Sequence, residues 1–454
     1  MTTSSAPVAA IVLAAGKGTR MKSDLHKVLH PVAGRPMLLH LLDTVDRLQP
    51  ATKVVVVGSR REQVEAALAG AEARVVTQEP QLGTAHAVLQ ARAALEGFDG
   101  NILILFGDVP LVPLETMRRM LQELAREPAP ACVVLGFHPA DPGAYGRIVA
   151  EGDGRIRKMV EFKDASEAER AITLCNSGML AVRARDLWPL LERVGNDNAA
   201  GEYYLPDIVM LAAADGRASR VIEGEADDLL GVNSRADLAL VEARWQRCAR
   251  ERAMLGGATL IAPETVWFAH DTEIGADVVI EPNVFFGPGV RIADGARIRA
   301  FSHLEGASIG PKAVIGPFAR LRPGAEIGAE ARVGNFVEVK KAVLGAGAKA
   351  NHLSYIGDAA VGEGANIGAG TITCNYDGFF KYRTEIGAGA FVGSNSALVA
   401  PVAIGAGAMI AAGSVITTDV AGDALAIARG KQVEKPGFAR RFREIMLARK
   451  KGKT

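Results

Sequence analysis

Two hydrophobic rhythms divide the chain. In the first half, short β-rich apolar runs at residues 9–13, 53–57, 73–76, 101–106 and 131–137 alternate with helical patterns at 37–48, 61–68, 85–95 and 114–126. Such alternation predicts an α/β domain with a mostly parallel sheet covered on both faces. A charged helical stretch follows over 236–254 and is stopped by Gly256-Gly257. The rhythm then changes. Aliphatic residues, often followed by glycine, return every six positions at Ile274, Ile280, Phe286 (aromatic here), Ile292, Ile298 and Leu304. After one five-residue step the comb continues as Ile309, Ile315, Leu321, Ile327, Val333 and Val339, and after another as Leu344, Ala350 and Ile356. A third short step leads to Val361 and Ile367. After an interruption the comb returns at Ile386, Val392, Leu398, Ile404, Ile410 and Ile416.

A six-residue comb with small residues between its teeth predicts a parallel β-helix. Three hexads make a triangular coil, and each tooth points inward onto the teeth above and below. Glycine and alanine fall at the corners, where the chain turns tightly. A loose Gly/Ala-rich linker has no reason to keep a fixed step over roughly 140 residues. The interruption, 373–384, carries Asn375-Tyr376-Asp377-Gly378 and is expected to project as a loop. The expected division is therefore a first domain over 1–235, a linker helix over 236–256, a β-helix over 257–430 and a basic tail over 431–454.

Composition narrows the function. At 454 residues, two or more domains are the default. Lys+Arg 52 against Asp+Glu 51 leaves +1, which argues against an electrostatic nucleic-acid binder. Cys132, Cys175, Cys248 and Cys374 lie far apart with no CxxC spacing, so they read as reduced thiols of a cytoplasmic protein. The N-terminus lacks a basic n-region, and its apolar run leads into a Gly-rich loop where a signal peptide would have a cleavage site. Residues 397–416 carry no charge and are as long as a membrane helix, but they contain Pro401, Gly405, Gly407 and Gly413 and keep the six-residue step. They are expected to be repeat, with no membrane insertion.

Candidate chemistry lies at the ends of the predicted strands. Leu13-Ala14-Ala15-Gly16-Lys17-Gly18-Thr19-Arg20-Met21 follows the first strand, with Lys27 close behind. It is neither a dinucleotide G-x-G-x-x-G nor a Walker A loop. Two glycines still let backbone N–H groups approach an anion, and Lys17, Arg20 and Lys27 supply positive charge. A plain strand–helix turn with surface cations is the bland alternative. Phe106-Gly107-Asp108-Val109-Pro110 places a carboxylate at the C-terminal end of a parallel strand, where ligands bind in open α/β sheets. Asp108 suits Mg²⁺ on substrate phosphates, or else it caps a helix. In the second half, Asn351-His352-Leu353-Ser354-Tyr355 lies within the comb. Histidine titrates near neutrality and can accept a proton from an attacking amine, or it is merely packed and hydrogen-bonded.

Further segments join these: Gln81-Leu82-Gly83-Thr84-Ala85-His86, Tyr145-Gly146-Arg147-Ile148, Val160-Glu161-Phe162-Lys163-Asp164, Asn176-Ser177-Gly178 and Gly231-Val232-Asn233. Together the first-half motifs resemble the nucleotidyltransferases that make nucleotide sugars. With the comb attached, nearly the full length, from about Ala9 to Arg429, resembles the bacterial bifunctional N-acetylglucosamine-1-phosphate uridyltransferase/glucosamine-1-phosphate acetyltransferase family. The resemblance implies a Rossmann-like nucleotidyltransferase domain and a left-handed winding for the β-helix. It also implies a homotrimer with active sites between neighbouring columns. UTP and acetyl-CoA are the implied co-substrates, with Mg²⁺ as cofactor. Leu13, Ala14, Ala15, Gly16, Lys27, Gln78, Gly83 and Thr84 would hold UTP, and Asp108 and Asn233 would bind Mg²⁺. Gly146, Glu161 and Asn176, with Asn233, would hold the sugar phosphate to be uridylylated. In the second domain His352 would be the general base. Arg322, Lys340, Tyr355 and Asn366 would hold glucosamine 1-phosphate. Ala369, Asn375, Tyr376, Ser394, Ala412 and Arg429 would meet acetyl-CoA. Two positions depart from the family pattern: His26 stands where proline is usual, and Phe106 where tyrosine is usual.

Two readings compete with a bifunctional enzyme. One keeps the pyrophosphorylase but changes the sugar or the base. The other makes the β-helix a structural or regulatory module, as in ADP-glucose pyrophosphorylases. His352, Asn375-Tyr376 and Arg429 discriminate, since a structural helix needs none of them. The basic stretch 440–453 is read as a solvated helix rather than a cover for the acetyl-CoA site.

Overall fold

The structure is a computed structural model that describes residues 6–451. Its contacts separate two compact units. The first comprises the chain up to Glu251 together with Phe268–His270, and the second comprises the remainder.

In the first unit, strands β1 (Val8–Ala14), β2 (Thr52–Val57), β3 (Arg74–Thr77), β4 (Asn101–Phe106), β5 (Cys132–Phe137), β6 (Arg147–Ala150), β7 (Ile156–Val160), β8 (Cys175–Arg183) and β9 (Arg220–Glu223) form one sheet. Its main path runs β9-β5-β8-β4-β1-β2-β3, and the hairpin β6–β7 pairs off β8. All neighbours on the main path are parallel except β8, which runs against both β4 and β5. Past Thr52-Lys53 and Asn101 at their starts, the central strands β1, β2 and β4 are apolar throughout because both faces are covered. Ile11, Val54, Ile102 and Ile104 enter one buried cluster, while Ala10, Val12, Leu103 and Leu105 enter the other. The helix expected over 85–95 is broken. It spans Thr84–Leu89, and a separate 3₁₀ turn follows at Ala93–Leu95. The Gln90 carboxamide donates to the His86 carbonyl at 3.0 Å, while the Gln90 backbone N–H turns to Ala87. A side chain has thus taken the acceptor that a continuing helix would use.

The second unit is a left-handed β-helix of hexapeptide repeats. Its teeth stack in three columns in the register of the comb. Ile280, Ile298, Ile315, Val333, Ala350, Ile367, Val392 and Ile410 follow one another up one column. Ile274, Ile292, Ile309, Ile327, Leu344, Val361, Ile386 and Ile404 make the second. In the third, Leu304, Leu321, Val339 and Ile356 are followed by Thr373, which the apolar comb does not show. Thr373 is 1% exposed, yet its hydroxyl accepts from the Gly357 N–H at 2.8 Å and donates to the Gly357 carbonyl at 3.0 Å. A buried hydroxyl is tolerated there because it is satisfied. The uncharged stretch 397–416 resolves into four short strands of these columns. Among the described residues no helix is long and apolar enough to cross a membrane.

Candidate functional site

The first constellation forms where β1 and β4 end side by side in parallel. The loop after β1 (Leu13, Ala14, Ala15, Gly16, Lys17) and Asp108 after β4 line a cleft of about 430 Å³ with Lys27, Gln78, Gln81, Gly83 and Thr84. Gly18 has a left-handed backbone, φ 61°, and a Cβ there would lie 2.7 Å from Lys27 Cβ, so the loop can close over Lys27 only with glycine. Gly83 has φ 119°, and its missing Cβ would meet the Tyr203 carbonyl oxygen at 2.5 Å. Gln78 donates to the Gly83 carbonyl at 2.9 Å, and the Thr84 hydroxyl accepts from the Leu205 N–H at 2.9 Å, which pins this wall. Gln81 was not singled out from the sequence, although its motif was; its carboxamide donates to the Ala15 carbonyl at 2.8 Å and joins the two walls.

At the cleft floor the Lys27 ammonium donates to the Asp108 carboxylate and, at 3.3 Å, to the Asn233 side-chain oxygen. Asn233 is held by the Asp237 carboxylate, which accepts its backbone N–H at 2.9 Å, and Val232 donates to the Asp108 carbonyl at 2.9 Å. Asp108 caps no helix: the next one, Leu114–Leu124, starts after Pro113. Two hard oxygen donors from distant segments therefore aim at one point. No group of three or more His, Cys, Asp or Glu could hold a metal among the described residues. A divalent cation would take one carboxylate and one carboxamide oxygen and complete its shell with phosphate and water, the habit of Mg²⁺.

Gly146, Glu161 and Asn176 are also brought together, by the hairpin and β8. The Asn176 N–H donates to the Gly146 carbonyl at 2.9 Å, and a Cβ on Gly146 would lie 3.1 Å from a Glu161 carboxylate oxygen. Burial, then the charges of Asp207, Asp164 and Glu202, push the Glu161 carboxyl above its usual range. Phe106 keeps its place against Gly178, where a Cβ would lie 2.8 Å from the ring.

His26 explains its own departure from proline. Its backbone N–H donates to the Gln63 side-chain oxygen at 2.7 Å, a bond proline cannot make. Its ring is 2% exposed, and burial, then Lys27, Arg60 and His30, lower its pKa from 6.5 to about 4. The unfolded chain therefore takes up this proton first as pH falls. The stability tied to neutral His26 is intact above pH 6.5 and is lost progressively between 6.5 and about 4, up to roughly 3 kcal/mol. Urea titrations of wild type and His26→Gln at pH 7, 5.5 and 4.5 should show the variant losing less stability across that window. Parallel losses would show that other groups carry the acid sensitivity.

In the β-helix the corner after the first column holds His352. Backbone bonds climb this corner from Leu353 N–H to the Asn335 carbonyl, Gly370 to His352, Asn395 to Ala369 and Gly413 to Ser394. His352, Ala369, Ser394 and Ala412 thus succeed one another on four coils. The Arg429 guanidinium donates to the Ala412 carbonyl at 2.7 Å and ends the series. Below His352 the same corner carries Phe301, Phe318 and Phe336, stacked at 5.0 and 5.2 Å, and Leu353 follows on the histidine's own coil; the four are 54%, 45%, 57% and 61% exposed.

Arg322 and Lys340 lie one above the other on the next face. Arg322 donates to the Glu338 carboxylate at 2.8 Å, and Tyr355 pairs with Glu338 in register. The projecting loop is built on Asp377, whose carboxylate accepts from the Phe379 and Phe380 N–H groups at 2.8 and 2.7 Å. It brings Lys381, which sequence reasoning missed, beside Lys340. The Lys381 ammonium, then Arg322 across the face, lower the Lys340 pKa. An arriving phosphate would relieve that repulsion. Asn375 is held by the Asp358 carboxylate. Asn366 lies on the first-column strand, so within one chain it stands on the other side of the His352 corner from Arg322, Lys340 and Tyr355.

A nucleotide-type α/β cleft joined to a hexapeptide β-helix defines a two-part transferase. Residues 10–198 match the MobA-like NTP transferase domain, and 271–306, 306–341 and 383–418 match the bacterial transferase hexapeptide (six repeats). The chain is 70% identical to the bifunctional protein GlmU of Rhizorhabdus wittichii and 66% identical to that of Sphingopyxis alaskensis, over 98% of this chain and of each relative. It is 60% identical to that of Zymomonas mobilis, over 96% of this chain and 98% of the relative. The chain belongs to the GlmU family. It is a UTP-dependent uridylyltransferase and an acetyl-CoA-dependent N-acetyltransferase, and the two activities together make UDP-N-acetylglucosamine.

Proposed function

We propose that the two reactions run at the two constellations described above. In the first, the loop Leu13–Gly16 with Gln78, Gly83 and Thr84 holds UTP, and Gly146, Glu161, Asn176 and Asn233 hold N-acetylglucosamine 1-phosphate. The sugar phosphate attacks the α-phosphorus in line and pyrophosphate leaves. Lys27 and backbone N–H groups neutralise the charge that builds on the phosphates. Asp108 and Asn233 hold Mg²⁺, which when bound supplies further charge neutralisation. In the second, Arg322, Lys340, Tyr355 and Asn366 hold glucosamine 1-phosphate, with Lys381 beside its phosphate. Acetyl-CoA lies along Ala369, Ser394 and Ala412 to Arg429, flanked by Asn375 and Tyr376. His352 takes the amine proton as the nitrogen attacks the thioester carbonyl, and CoA leaves with its sulfur.

The corner series from His352 to Arg429 carries this reading, because a purely structural β-helix needs none of it. The active form is a homotrimer. The exposed phenylalanine stack is an apolar seam that a neighbouring copy would cover, and the split of Asn366 from Arg322, Lys340 and Tyr355 fits a site completed between copies. Four free cysteines suit the cytoplasm.

The test is one vessel with glucosamine 1-phosphate, acetyl-CoA, UTP and Mg²⁺. UDP-N-acetylglucosamine should form, and the particle mass should be three times 47.7 kDa. With excess chelator, N-acetylglucosamine 1-phosphate should accumulate instead. Chelation that stops both steps, or neither, would refute the assignment of the metal to the first site alone.

A further inference from the structure

We propose that Asn335 is the positioning residue for His352: its side-chain oxygen fixes the imidazole with Nδ1 protonated and leaves Nε2 to accept the substrate proton. The proposal rests on the reading of His352 as general base. Asn335 and His352 are register partners on adjacent coils, seventeen residues apart, with Asn335 Oδ1 2.7 Å from His352 Nδ1. A carboxamide oxygen only accepts, so Nδ1 donates, and a neutral imidazole has no second N–H.

The rest of the residue is already clamped. The Ser354 hydroxyl donates to the His352 carbonyl at 2.9 Å, Gly370 donates to the same carbonyl at 3.3 Å, and Leu353 donates to the Asn335 carbonyl at 3.0 Å. The ring is exposed, so its rotation and tautomer are the freedoms left, and Asn335 restrains both. Along this corner the equivalent positions below Asn335 are Ala300 and Pro317, whose side chains accept nothing. An acceptor appears on the one coil that lies directly beneath the histidine.

Its neutrality has a purpose. A carboxylate at this distance would also orient the ring, but it would stabilise the imidazolium and keep the base protonated near neutral pH. The other ionisable groups on the stacked coils are Lys349, Tyr355 and Asp358 over 349–361 of the histidine's own coil and Glu330, Arg332, Glu338, Lys340 and Lys341 over 330–344 of the coil below; the stretch 365–373 above has none. Of these acids, Glu338 is engaged by Arg322, Asp358 accepts from the Asn375 carboxamide, and Glu330 lies before the tooth Val333, at another corner.

Full-length Asn335→Asp, Asn335→Ala and His352→Ala should be compared in acetyl transfer from pH 5.5 to 9, with uridylyl transfer and particle mass as controls for folding. Asn335→Ala should lower kcat by about 10–100-fold with KM for acetyl-CoA within about twofold. Asn335→Asp keeps an acceptor, so it should retain more activity, and its acid limb should move up by about one pH unit or more. An unmoved limb in Asn335→Asp, or wild-type kcat in Asn335→Ala, while His352→Ala is inactive, would overturn the positioning role and leave the general base standing. Near-normal acetylation by His352→Ala would remove the base itself, and this proposal with it.

Discussion

Asp108→Ala should abolish uridylyl transfer, by about 10³-fold or more, and leave acetyl transfer at its wild-type rate. The carboxylate meets Lys27, which also reaches Asn233, so its removal strips one of two oxygen donors from the proposed metal position and leaves the Lys27 charge without its carboxylate partner. UTP would then present its phosphates to a floor with less means of balancing charge in the transition state, a loss of several kcal/mol. Each factor of ten corresponds to about 1.4 kcal/mol of barrier. Because Asp108 caps no helix, any fall in melting temperature comes from the unpaired Lys27 charge alone. Steady-state rates of both reactions and a thermal melt check this together. A variant that lost stability but kept uridylyl transfer would make Asp108 a structural residue.

The converse substitution, His352→Ala, should lower acetyl transfer by about 10²–10⁴-fold while uridylyl transfer stays normal. The amine of glucosamine 1-phosphate is largely protonated in water near neutral pH and must shed that proton as it attacks. His352 is the only histidine between Leu304 and Thr454, so the β-helix has no second imidazole beyond Leu304. The wild-type acetylation rate should rise with pH as the base loses its proton. A trimeric variant that acetylated at near-normal rate would reduce the ring to packing, and the structural-module reading of the β-helix would return.

The two halves were unequally legible. In the β-helix each tooth repeats the same message, and even the short steps carried meaning. The five-residue step from Val339 to Leu344 makes a coil of seventeen residues, the separation of Asn335 from His352. Thr373 escaped because a satisfied hydroxyl fills an inward position that the apolar pattern reserves for carbon. Lys381 escaped because it lies in a loop with no period, and only the fold sets it beside Lys340. In the first unit the central strands were plain because burial on both faces makes them continuously apolar. The antiparallel β8 and its hairpin were not, since nothing local marks a strand that reverses direction. That reversal gathers Gly146, Glu161 and Asn176. Their nearness was implied by family resemblance and has no signature in spacing.

The corner that climbs from His352 to Arg429 also acts as a ruler. Neighbouring coils lie about 4.8 Å apart, and His352, Ala369, Ser394 and Ala412 occupy successive rungs. His352 and Ala412, whose carbonyl accepts from the Arg429 guanidinium, are therefore separated by three rungs, on the order of 14 Å, a length graduated in backbone hydrogen bonds. Adding or deleting a whole coil between them would leave every tooth packed and the fold intact, yet it would shift the far end of an extended donor by one rung against its reactive end. The lengthened coil that carries the projecting loop leaves this graduation unchanged, because its extra residues leave and rejoin the stack at one level. On the proposed placement of acetyl-CoA, the β-helix can thus vary its loops freely while the number of its coils stays tied to the length of that molecule.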